Sequence, residues 1–278
     1  MKYLILGSSG QIGTALTQWC DNNEIAYEGF DVTRTPEEDL RIEQNPRLLK
    51  ALSDSDFVMF LAYDVGGSRY LSSKQNQLEF ISNNARLMEY TFQAIHDSRK
   101  PFIFVSSQMA NLSFSPYGAL KVVGEHYTRA LGGIIVKLWN VYGVETDMEK
   151  SHVITDFIHK AKDTRCIDMI TDGTESRQFL HAEDCSRCLL TLAGKYESIP
   201  RDQELHIASG SWNSILEVAQ LVASLFPGTT IQPAEAKDEV QQDARIDPNP
   251  FIQNYWKPKI SLDAGVRRVV SDLGYNIN

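Results

Sequence analysis

The chain is expected to be an α/β protein built on a doubly wound parallel sheet, and three features predict this. Lys2 to Leu6 is a short apolar run that passes through Gly7-Ser8-Ser9-Gly10-Gln11-Ile12-Gly13 into a helical pattern carried by Ile12, Leu16 and Trp19. Asp56 to Ala62 continues as an unbroken apolar run, the pattern of a strand buried on both faces. Between such runs lie amphipathic stretches, chiefly Gln77 to His96, where Leu78, Ile81, Leu87, Phe92 and Ile95 keep helical spacing.

Composition narrows the function. The chain has 278 residues, 42% hydrophobic and 23% charged, enough for one large or two modest domains with a proper core. A formal charge of −9 disfavours a nucleic-acid partner, which needs a basic surface, so a small-molecule site is expected. The longest apolar run, Phe57 to Tyr63, is about a third of the length that spans a bilayer, so no membrane partner is expected. Met1 leads directly into a strand-like segment with no export signature, and a cytoplasmic location is the default. Cys185 and Cys188 form a CxxC pair on the apolar side of a helical pattern with no second ligand pair in view; reduced, structural cysteines and no metal site are expected.

The glycine turn at the first strand reads as a phosphate cradle. Gly7 permits the tight turn, Gly10 lets backbone approach a pyrophosphate, Gly13 allows close helix packing, and the helix N-terminus at Gln11 and Ile12 presents free N–H groups. The spacing is GxxGxxG rather than GxGxxG. A second strand, Ile25 to Phe30, ends at Asp31, where an acid holds adenosine ribose hydroxyls and repels a 2′-phosphate, so the cofactor reads as NAD. Arg34 is the feature that would suit NADP instead. Ala62, at a strand's carboxyl end, should border the cofactor, and Gly66 and Gly67 in the following loop the substrate. Asn83 and Asn84 fall inside a helix, where at least one is expected to bond backbone near the site.

The chemistry centres on Phe102 to Glu125. An apolar strand ends in Ser106 and Ser107, and a following helix carries Tyr117 and Lys121 one turn apart. A lysine ammonium beside a phenol favours the phenolate, so the Tyr117 pKa is expected to fall toward neutrality, with Ser107 bonding the same substrate oxygen. Spacing alone does not single this pair out, because Tyr70/Lys74 and Tyr255/Lys259 share it. Pro258 argues against a regular helix in the last, and neither outer pair follows a strand ending in serines.

Gly7 to Gly13 at the first strand, Asp31 at the second, Leu61-Ala62-Tyr63 in place of the usual Leu-Ala-Ala at the fourth, Ser107 with Tyr117-Gly118-Ala119-Leu120-Lys121, and the KLWNVYG segment ending at Gly143 together resemble the extended short-chain dehydrogenase/reductase family, the NAD-dependent nucleotide-sugar epimerases and dehydratases. The segment from Asp172 to Cys185 is similar to that family's second-half signature, and the resemblance runs from Lys2 to about Ala223. It implies a Rossmann-type core over 1–140, with 181–208 returning to it, and a smaller C-terminal α/β lobe over 141–278 that binds a nucleotide sugar. It further implies Tyr117 as acid and base, Lys121 on the nicotinamide ribose, Ser107 on the reacting oxygen, and Asn140 and Arg177 at the pyrophosphate. Arg245, with Asp247, would close over the nucleotide. His181 and Asp184 read as helix-start residues.

Which reaction follows depends on Gln108 and Met109. Dehydratases resembling this chain place two acids there, and neither residue can move a proton, so Gln108 becomes a substrate hydrogen-bonding residue and dehydration is disfavoured. The resemblance then implies a nucleotide-sugar epimerase working through a transient 4-keto sugar, with a 4-ketoreductase or dehydrogenase as the alternative. A 3,5-epimerase is disfavoured by Met109, and a non-catalytic regulator by retention of all three polar residues. A homodimer is expected through helices at 77–97 and 115–131, on a face including Met88 and Tyr90.

Overall fold

The computed structural model describes residues 1–112, 114–241 and 245–275. Its strands are β1 (Tyr3–Leu6), β2 (Tyr27–Phe30), β3 (Phe57–Phe60), β4 (Phe102–Ser107), β5 (Ile134–Leu138), β6 (Asn140–Tyr142), β7 (Cys166–Asp168), β8 (Ser176–Arg177), β9 (Phe179–His181), β10 (Leu205–Ile207), β11 (Asn213–Ser214) and β12 (Thr230–Gln232). The helices are α1 (Gln11–Asn22), α2 (Pro46–Ser53), α3 (Ser68–Lys74), α4 (Leu78–Ser98), α5 (Pro116–Ala130), α6 (Val153–Asp163), α7 (Ala182–Gly194), α8 (Ile215–Leu225) and α9 (Leu262–Asp272). Six strands form one parallel sheet in the order β10-β5-β4-β3-β1-β2, the doubly wound α/β architecture expected.

Period-two alternation explains why the sheet strands are apolar throughout. Ile5, Met59, Ile103 and Val105 point into one core with Leu16 and Cys20 of α1 and Cys185, Cys188 and Leu192 of α7. Their neighbours Leu4, Leu6, Val58, Phe60 and Phe104 point into the other, against Leu48 and Leu52 of α2 and Met88, Phe92 and Ile95 of α4. Polar residues start the helices: Asn45 accepts from the Arg47 and Leu48 amides ahead of α2, and Ser214 forms a capping box with Glu217 ahead of α8. The C-terminal lobe packs α6, α8 and α9 around Phe157, Ile158, Val222, Val266 and Val269, with paired strands β7 and β12.

Two expectations change. Between Phe30 and Phe57 the chain forms only a one-turn helix and α2, so Leu61-Ala62-Tyr63 follows the third strand, not a fourth. Met88 is buried: it shares a helical face with Asn84, Thr91, Phe92 and Ile95, all directed into the core, whereas Leu78 and Ile81 of α4 and Val123 and Tyr127 of α5 are exposed. No helix among the described residues is long and apolar enough to cross a membrane.

Candidate active site

The carboxyl ends of β1 to β5 converge on the site, and the glycine turn after β1 forms one wall. Gly7 adopts φ +88° and receives Ala62, whose nitrogen would lie 2.6 Å from a Cβ at that position. A Cβ on Gly13 would clash with the Gly7 carbonyl and Ser8, so α1 packs directly on the turn. A Cβ on Gly10 would make only an ordinary contact, 3.6 Å from the Gly7 carbonyl, and Gly10 starts α1 without a side-chain cap or an acid in the first turn, leaving the N–H groups around Gln11 and Ile12 to an anion. The Gln11 side-chain amide, in the orientation that satisfies both groups, donates to the Val141 carbonyl and accepts from the Gly143 N–H, 3.3 Å each, and the Ile12 side chain packs on the core. Ser8 Oγ is buried without a partner among the described residues. Asp31 accepts from Ser9 N at 3.0 Å with one oxygen and from Thr33 N and Oγ1 with the other, which ties the β2 end to the turn. Arg34 donates to the Gly29 carbonyl and pairs with buried Glu38 at 3.6 Å. The orphaned Ser8 hydroxyl, the uncapped helix start and the nearby carboxylate fit a dinucleotide with a free 2′-hydroxyl.

Ser107, Tyr117 and Lys121 come together because α5 lies unusually close to the turn after β4. Ser107 ends β4 and accepts from Met109 N at 3.2 Å. Ser115 caps α5 through Gly118 N at 3.1 Å, and Pro116 supplies the first helical position. A Cβ on Gly118 would clash with the Met109 carbonyl, so this glycine inside YGALK lets Tyr117 reach Ser107. Tyr117 and Lys121 are both buried.

The pKa expectation is reversed. Burial pushes the Tyr117 phenol up to about 12, with Ser107 pulling the other way, and drives the Lys121 ammonium down to about 7. Lys121 Nζ donates to the Val105 carbonyl at 2.8 Å and lies over the Tyr63 ring, 5.8 Å from the Tyr117 ring centroid. Desolvation is the largest cause at both groups.

Opposite the cofactor wall, Gln108 Nε2 donates to Asn140 Oδ1 at 3.3 Å and to Gln241 Oε1 at 3.2 Å. The Gln241 backbone N–H donates to Asp238, which also forms a buried ion pair with Arg177. Gln108, Asn140 and Arg177 thus belong to one polar chain, with Asp238 and Gln241 as links that sequence reasoning missed. Arg245 is exposed and stacks on Trp212, 4.4 Å from its ring centroid, and Asp247 is exposed. Gly66 and Gly67 pack on the backbone at Lys150 to His152, with Gly67 N donating to Lys150 O at 2.9 Å, so their close approach is to protein rather than to an open cleft. In the same loop Asp64 receives the Tyr70 hydroxyl and Lys150 Nζ at 2.7 and 2.8 Å. Buried Asn84 brackets Asp64, accepting from its N–H and donating to its carbonyl, the polar task expected of an asparagine here. His181 caps α7 through Glu183 N, and Asp184 accepts from the Lys259 and Ile260 amides.

Residues 3–208 match the sequence profile of the NAD dependent epimerase/dehydratase family. The chain belongs to this family. As in the family, it is an enzyme and its cofactor is NAD. It is 27% identical over 176 residues to a GDP-L-fucose synthase of Sinorhizobium fredii and 30% identical over 167 residues to a putative UDP-glucose 4-epimerase of Methanocaldococcus jannaschii. These matches cover 58% and 56% of the chain and only 55% and 52% of those relatives. The fold matches the UDP-glucose 4-epimerase of Thermotoga maritima, solved with UDP-glucose, with a TM-score of 0.81 at 17% identity over 99% of both chains. It matches a GDP-6-OMe-4-keto-L-xylo-heptose reductase of C. jejuni with a TM-score of 0.81 at 18% identity, over 98% of this chain and 97% of that one.

Proposed function

We propose that the enzyme is an NAD-dependent nucleotide-sugar epimerase that inverts a sugar carbinol through a transient 4-keto intermediate. The observation that carries this reading is the occupant of the two positions after Ser107. Gln108 is locked by Asn140 and Gln241, and Met109 is buried among apolar neighbours. Neither can protonate a departing hydroxyl, so elimination of water lacks its acid. Ser107 and Tyr117 retain what carbinol oxidation needs.

Bound NAD supplies the hydride acceptor and the hydride donor. Gly10, Gln11 and Ile12 would hold its pyrophosphate through α1 N–H groups, Asp31 and Lys121 its ribose hydroxyls, and Ala62 would border it. Ser107 orients the carbinol oxygen toward Tyr117. Tyr117 takes the proton from that oxygen on oxidation and gives it back on reduction, so the enzyme ends each cycle in its starting protonation state. Lys121, held next to Tyr117, favours the phenolate while it carries charge. Asn140, Arg177 and Arg245 would bind the nucleotide diphosphate, where guanidinium geometry suits phosphate. A homodimer pairing the exposed apolar faces of α4 and α5 completes the proposal.

A 4-ketoreductase is the second reading, the class of reaction named for the C. jejuni protein that shares the fold. It uses the same three residues but exchanges cofactor each turnover. Denaturing the purified protein to release nucleotide, then following UDP-, GDP-, CDP- and dTDP-sugars by NMR in deuterated water, separates the two. Retained NAD with an inverted sugar and no deuterium uptake supports the epimerase; net change in NADH absorbance supports the reductase.

A further inference from the structure

We propose that Tyr63 is a positioning residue for Lys121, its aromatic face holding the buried ammonium charged and in place beside Tyr117. Lys121 Nζ is 3.7 Å from the centroid of the Tyr63 ring, against 5.1 Å for Phe104 and 5.8 Å for Tyr117. Its hydrogen bond goes to the Val105 carbonyl at 2.8 Å, which occupies one of three N–H donors. Burial penalises that charge strongly, and an aromatic face supplies the negative lobe of a quadrupole in compensation. The same ring meets Tyr117 edge-on, with centroids 5.6 Å apart, so one side chain touches both members of the proton-transfer pair.

The other groups around Lys121 do not do this work. Glu125, one turn along α5, acts on Lys121 at a distance but bonds elsewhere: it accepts from Ser106 Oγ at 2.6 Å and pairs with Arg129 and Lys137. From β4 come the Val105 carbonyl and the Phe104 ring, and from α5 the phenol of Tyr117. Tyr63 Oη is buried without a partner among the described residues, which assigns the role to the ring rather than to the hydroxyl.

The catalytic consequence rests on the roles given above to Tyr117 and Lys121, but the contact can be tested without substrate or NAD. Protein labelled with carbon-13 at lysine Cε is titrated by NMR, and the Lys121 resonance is assigned by its loss in Lys121→Met. Tyr63→Phe keeps the ring and is expected to leave the Lys121 midpoint unmoved. Tyr63→Leu is expected to lower it by about one pH unit. Pentafluorophenylalanine at position 63 preserves the shape and inverts the quadrupole, so it gives the same downward shift even where Tyr63→Leu does not fold. A midpoint unchanged with the fluorinated ring overturns the proposal. Turnover provides the second readout: the limb of the pH profile that reports Tyr117 moves to higher pH with the fluorinated ring and stays in place with Tyr63→Phe. Absence of turnover on every nucleotide sugar would count against the proposed reaction while leaving the titration result standing.

Discussion

The Asp238 carboxylate holds the Arg177 guanidinium in an ion pair that is closed to solvent on both sides, each side chain being 7% exposed. Arg177 is the residue assigned to the substrate diphosphate, so an entering diphosphate must displace Asp238 or share the guanidinium with it. Asp238→Asn retains a hydrogen-bond acceptor and removes the competing charge. Nucleoside diphosphate is expected to bind about tenfold more tightly to this variant by calorimetry. The free protein should meanwhile lose on the order of 3 kcal/mol of stability in urea, because a buried charge loses its partner. Unchanged or weaker binding would show that Arg177 does not receive the diphosphate.

Tyr117→Phe removes the proton carrier and keeps the ring packed against Tyr63. Turnover should fall by about 10²- to 10⁴-fold, with nucleotide-sugar affinity and melting temperature nearly unchanged. Turnover at the parent rate would mean that another group moves the proton.

Gly118→Ala tests the close approach of α5 to the turn after β4. The added methyl clashes with the Met109 carbonyl, which is backbone and cannot step aside as a flexible side chain can. A stability loss of about 1–3 kcal/mol is expected, with a fall in kcat exceeding that of a surface glycine such as Gly194, where a Cβ meets nothing.

Burial drives the Lys121 ammonium down to about 7 in the folded protein, from an ordinary value of 10.5. Between these values the unfolded chain binds the proton and the native one does not, so this group makes stability rise with pH through that window. The penalty of burying the charge is full below pH 7 and is relieved above it. Lys121→Met should abolish that rise, so the urea midpoints of parent and variant should change differently between pH 7 and pH 9.5. Parallel midpoints across that range would contradict the assignment.

The sequence made local features legible and long-range ones not. The Gly7 turn, the alternating strand faces, the Ser214 capping box and the Tyr117/Lys121 spacing each involve residues a few positions apart, whose geometry follows from backbone and period. Asp238 reaches Arg177 across 61 residues and Gln241 reaches Gln108 across 133, and no local pattern announces either. The same limit explains the pKa reversal: the Tyr117/Lys121 pairing is visible in sequence, but the burial that overrides it depends on α5 settling onto β4. Tyr63 did leave a signal, as the residue that breaks the Leu-Ala-Ala pattern.

The central claim is that hydride leaves the substrate and returns to the same carbon within one binding event. The most direct measurement is conversion, in ordinary water, of a nucleotide sugar carrying deuterium at C4, with NMR of the product. The account predicts an inverted C4 that retains its deuterium through many turnovers. Loss of deuterium from C4 to solvent or free cofactor, or a product lacking one molecule of water, would contradict it.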